Sequence, residues 1–105
     1  MTQAAIKPVF AQAMTTDVIS GAYTFIEDPG HGWLKVDYRE IAKLGLYGKI
    51  SGYSYIDGTD IYLEEDCDLA LFIEAKAAIG EPVFYNRVYQ EYTQVRNMAR
   101  FGGAA

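Results

Sequence analysis

The chain has 105 residues, half of them apolar and 22% charged, which suits one globular domain with a modest core and excludes a disordered segment. Fourteen acidic residues against nine basic ones give a net charge of −5, and the basic residues are scattered, so the phosphate-neutralising stripe of a nucleic-acid binder is missing. A single Cys excludes an intramolecular disulfide framework and any multi-Cys zinc motif, and no apolar run approaches the length of a membrane span.

Residues 1–20 read as an N-terminal extension. A short helix after Pro8 would place Val9, Phe10 and Met14 on one face. No charged start followed by an apolar run marks a signal peptide, so the expected location is the cytoplasm. From Tyr23 to Glu27 the pattern is strand-like. "DPGHG" is a dense turn signal, and "WLKV" at 33–36 reads as the second strand of a hairpin. Asp37 followed by Glu40 resembles a capping box. It opens a two-turn helix over 38–44, with Ile41 and Leu44 inward and Gly45 as its stop.

"YGKISGYSYIDGTDIYLEE" reads as a second hairpin turning at Asp57-Gly58, a strong short-range hairpin signal. The next segment, "DCDLALFIEAKAAIG", is helical, because Leu71, Phe72, Ala75, Ala78 and Ile79 recur at helical spacing. Gly80 and Pro82 stop it. A strand over Val83 to about Tyr89 and a short helix near 91–98 follow, and 102–105 is a frayed tail. The expected domain is therefore 21–101. It is an α+β fold: a mostly antiparallel sheet of about five strands with two to three helices on one face.

"YLEEDCD", Tyr62 to Asp68, packs four carboxylates and the lone cysteine into seven positions. Part of this is structural in character. Asp66 suits a helix N-cap, and Asp68 in the first turn complements the helix dipole. Yet six of the fourteen acids, Asp57, Asp60, Glu64, Glu65, Asp66 and Asp68, fall in twelve positions without an intervening Lys or Arg. Such a field steers a basic partner. With Tyr53, Tyr55 and Tyr62 as aromatic anchors, these acids make a candidate contact face.

His31 and Cys67 are the weaker catalytic candidates. Four neighbouring carboxylates work against a Cys67 thiolate, and nothing in the sequence orients His31 toward it. Calcium is disfavoured because "DGTDIYLEEDCD" has its Gly second and not sixth. One Cys and one His without near spacing make a poor zinc motif, so no metal and no cofactor is expected. The Gly residues that bracket His31 are explained by turn geometry, and Trp33 belongs to the core.

"DPGHGWLKV", "ISGYSYIDGTDIYLEEDCDLALF" and the closing "VRNMARF" together resemble a group of small proteins of bacterial phages, prophages and plasmids. The resemblance covers roughly Tyr23 to Phe101 and rests on Gly30 to Leu34, Ser51 to Tyr55, and Tyr62 to Asp68 with Phe72. It carries no activity over. What it implies is a setting, a mobile genetic element in a bacterial cell. The expected function is thus a non-enzymatic interaction module that modulates a host or phage protein, one with a basic nucleic-acid-binding surface, with no direct contact to nucleic acid or membrane. The alternative is a small enzyme or a ligand- or metal-binding protein using His31 and Cys67 with nearby carboxylates. A third reading is a structural module that oligomerises through a sheet edge.

Overall fold

A computed structural model describes residues 22–102. The expected N-terminal helix and the tail beyond Gly102 lie outside the described residues. Six strands form one sheet: β1 (Tyr23–Glu27), β2 (Gly32–Asp37), β3 (Tyr55–Asp57), β4 (Asp60–Glu64), β5 (Tyr85–Tyr89) and β6 (Ala99–Arg100). Two α-helices accompany them, α1 (Tyr38–Lys43) and α2 (Leu69–Ala78). The strand order is β5-β1-β2-β4-β3-β6, antiparallel throughout except for the parallel β1–β5 pair. The α+β expectation holds, with six strands in place of about five.

Alternation along the strands makes two faces. Leu34 lies opposite Leu63 and Phe25, and Val36 opposite Ile61. These five side chains share one buried cluster with Ile41 of α1 and with Leu69, Phe72 and Ile73 of α2. Both α-helices therefore cover the same face. The intervening residues Trp33, Tyr55 and Tyr62 cluster on the other face with Val95. Val95 belongs to a single 3-10 turn, Gln94–Asn97, which replaces the expected third helix and packs on the face opposite α1 and α2.

The expected stripe on α2 is shifted. Its buried residues are Leu69, Phe72, Ile73 and Lys76, at i, i+3, i+4 and i+7, whereas Ile79 is exposed. A buried lysine hid this pattern. The Lys76 ammonium bonds Glu40 at 2.5 Å and Glu81 at 2.7 Å, and it lies over the Tyr23 and Phe72 rings. Burial works against its charge, yet these carboxylates hold its pKa above the usual value.

The capping box is half realised. Asp37 accepts from the Arg39 N–H at 2.8 Å. Glu40 does not reach back; it accepts from the Tyr23 hydroxyl and from Lys76, tying β1 to both helices. The Asp57–Asp60 hairpin closes as expected over two residues, with Gly58 at φ +64°. No helix among the described residues is long and apolar enough to cross a membrane.

Candidate functional site

The β1–β2 loop is built around Asp28. Its Oδ1 accepts from the Gly30 and His31 N–H groups, both at 2.9 Å, and its own N–H donates to the His31 carbonyl. Arg96 then clamps Asp28, donating from Nε at 2.5 Å and from Nη2 at 3.1 Å while it lies over the Trp33 ring. The C-terminal segment is thereby fastened to the loop that presents His31. Arg96, followed by the N–H groups of His31 and Gly30, holds the Asp28 carboxyl well below the usual carboxylate range despite its burial. The folded pKa lies below the unfolded value of about 3.9, so this stability is fully present above that value and is lost progressively as pH falls from it through the folded pKa. Denaturant unfolding should show the gap between the native chain and Asp28→Asn shrinking as pH drops from about 6 to about 2.5. A pH-independent gap contradicts the clamp.

Trp33 lies opposite Glu64 in the β2–β4 pair, so the ends of these strands bring His31 to Glu64 across 33 residues of sequence. His31 Nδ1 sits 3.1 Å from Glu64 Oε2. The Glu64 side chain is only 7% exposed, whereas that of His31 is 47% exposed. Glu64 Oε1 accepts from the Asp66 N–H at 2.9 Å, and the Cys67 N–H donates to the Glu64 backbone carbonyl at 3.2 Å. Of the two candidates for chemistry, His31 reaches the Glu64 carboxylate, whereas Cys67 lies exposed in the turn that follows β4. Partial desolvation of the sulfur raises the Cys67 pKa, and Glu64, Asp68 and Asp66 raise it further, so the thiol is kept protonated. Beside this pair lies a cleft of about 100 Å³ lined by His31, Trp33, Tyr53, Tyr55, Glu64, Arg96 and Arg100.

The acids of "YLEEDCD" go separate ways. Asp66 is not the N-cap. That position falls to Asp68, and Asp66 is exposed in the turn before α2. Cys67 is exposed in the same turn and is not the first helical residue. Asp68 makes no cap bond. It is 2% exposed and accepts from Ser51 N–H, Ser51 Oγ and Ser54 Oγ, which anchors the loop before β3. Tyr55 and Tyr62 are 9% and 7% exposed because they pack under Val95; only Tyr53 of the three tyrosines is open, at 64%.

Asp57 and Asp60 sit at the β3–β4 turn, and Glu65 and Asp66 follow the other end of β4. At about 3.3 Å per residue the two groups are roughly 13 Å or more apart. Lys35 also lies 3.7 Å from Asp60. One continuous patch is therefore not formed by these acids.

A different row takes its place at the Glu64 end. Tyr89 lies opposite Glu27, Glu27 opposite Gly32, and the Glu65 N–H donates to the Gly32 carbonyl. Tyr89 donates to Glu91 at 3.2 Å. Desolvation, the Glu91 bond and the charges of Glu91, Asp28 and Glu27 raise the Tyr89 pKa. Burial of its tip and then Asp66, Glu64 and Glu27 raise that of Glu65. In both cases burial is the larger cause and the neighbouring acids add to it, while Glu27 itself is paired with Arg87 at 3.4 Å. Tyr89 is 56% exposed and Tyr92 is 90% exposed. Sequence reading missed Glu27, Tyr89, Glu91 and Tyr92 because the parallel β1–β5 pairing, which assembles them, joins segments about sixty residues apart. No protein-family model, curated protein or solved structure matches the chain.

Proposed function

We propose that the chain is a non-enzymatic interaction module that binds a protein with a basic surface. In the mobile-element setting its resemblance implies, that partner is a host or phage protein of the bacterial cytoplasm that itself handles nucleic acid. The observation that supports this reading is the placing of Glu65 and Asp66 at the sheet end that also carries Tyr89 and Glu91, where Glu27 is paired with Arg87 at 3.4 Å; Tyr89 and Tyr92 are both exposed. Exposed tyrosines offer large, rigid contact area at low entropic cost, and acids of one sign steer a basic partner and repel phosphates. Of the acids expected for the contact face, only Glu65 and Asp66 belong to this end of the sheet and are exposed.

The test is affinity capture with the native chain and with Glu65→Gln/Asp66→Asn/Glu91→Gln, after circular dichroism shows that both are folded. The reading expects a basic partner that is retained by the native chain and lost, by tenfold or more, from the variant. Equal retention by both sinks it.

A further inference from the structure

We propose that His31, Glu64 and Asp66 form a binding site for one divalent transition-metal ion of the Zn²⁺ type. One ligand atom from each residue lies within 4.8 Å of the other two. His31 Nδ1 and Glu64 Oε2, 3.1 Å apart, are close enough to share an ion about 2.1 Å from each, and a small movement of the exposed Asp66 side chain brings in the third ligand. An imidazole with two carboxylates favours zinc and its first-row neighbours over Ca²⁺ or Mg²⁺, which take all-oxygen shells.

Three further observations point to a ligand here. The first concerns charge. Glu64 is a nearly buried carboxylate whose one salt-bridge partner among the described residues is His31, a half-exposed ring and not a permanent cation, and a buried carboxylate calls for stronger compensation. The second concerns orientation. Asp28 fixes the His31 backbone through two hydrogen bonds, and the Asp66 N–H holds the Glu64 carboxylate by its other oxygen. Outer partners of this kind aim metal ligands.

The third lies in the adjoining cleft. Trp33 lines it with His31 and Glu64, and the Trp33 Nε1–H is sealed from solvent without an acceptor. Buried donors of this sort are rare in folded proteins. Three protein ligands leave a coordination position open, as in other accessible zinc sites. Arg96 and Arg100 line the same cleft and would balance the charge of a small anion taking that position. The site shares Asp66 with the interaction face, but its binding is read on the isolated chain without a partner and also depends on His31, so the two readings fail separately.

Titration calorimetry of the chelator-stripped full chain with ZnCl₂ tests it. The expected result is one equivalent bound, with affinity at least tenfold lower in His31→Ala and in Asp66→Asn. Both substitutions sit at exposed positions, and circular dichroism checks their fold. Asp57→Asn/Asp60→Asn, at the far end of β4, should bind as the native chain does. Absence of one-equivalent binding overturns the proposal. So does binding unchanged in Asp66→Asn, or binding kept in that variant but lost in Cys67→Ser, which would assign the ion to the thiol.

Discussion

Alanine at position 32 should destabilise the protein by about 3 kcal/mol, near the upper end of overpacking costs. A Cβ built on Gly32 would stand 2.3 Å from Cζ and 2.8 Å from Cε2 of Phe25, and 2.9 Å from a Glu65 carboxylate oxygen. Glu65 is flexible and can swing away. Phe25 cannot: it is 1% exposed and packs between Leu34 and Tyr85 in the main core. For a domain of this size the loss corresponds to a fall in melting temperature on the order of 15 °C. A double-mutant cycle identifies the cause. Phe25→Leu in the Gly32→Ala background should cost less than the sum of the two single changes. Simple additivity, or a loss below about 1 kcal/mol, would return Gly32 to the role of an ordinary turn residue. The turn reading of the two glycines beside His31 thus needs revision for Gly32, whose requirement is close packing. At Gly30 the nearest obstacle is the end of a side chain, Arg96 Nη2 at 3.2 Å.

Asp68→Ala should cost a comparable amount, about 3 kcal/mol, for a different reason. It strips the acceptor from Ser51 N–H, Ser51 Oγ and Ser54 Oγ at once, and leaves buried donors unpaired at roughly 1–3 kcal/mol for each that finds no water. Ser54 Oγ also accepts from the Glu64 N–H at 3.0 Å, so the damage should spread to the end of β4. Asp68→Asn keeps one acceptor oxygen and should cost about half as much. Denaturant unfolding measures both losses, and amide exchange at Ser51 and Glu64 should accelerate in Asp68→Ala. A change under about 0.5 kcal/mol would mean that Asp68 merely tops the helix, as its position in the sequence suggests.

These two cases show what the sequence does and does not disclose. The alternation of Leu34 with Val36 and of Ile61 with Leu63 marks the core face without ambiguity, and Asp57-Gly58 marks the hairpin. Local signals of this kind carried the α+β reading and most element positions. What stayed hidden depends on contacts between distant segments. The two residues of β6 are too few to show a period, and they become a strand only by pairing with Tyr55 and Ile56. Lys76 broke the apolar stripe of α2 because its compensating acids, Glu40 and Glu81, lie on other elements.

The site was obscured in the same way. Consecutive acids suggested a shared surface, yet the end of β4 and the following turn send Glu64 and Asp68 inward, lay Glu65 over Gly32 and leave Asp66 outside. His31 and Cys67 were visible as candidates. The contact of His31 with Glu64 follows from β2 pairing with β4, a register that no local motif specifies.

Charge-steered recognition at the Glu64 end of the sheet is the central claim. Its most direct test is the association rate of the captured partner as ionic strength rises from about 0.05 to about 0.5 M, a range over which the screening length contracts severalfold. The account predicts a steep fall in rate for the native chain and a much shallower one for Glu65→Gln/Asp66→Asn, with Asp57→Asn/Asp60→Asn behaving like the native chain. A rate indifferent to salt, or a salt dependence that disappears with Asp57 and Asp60 instead, would contradict it.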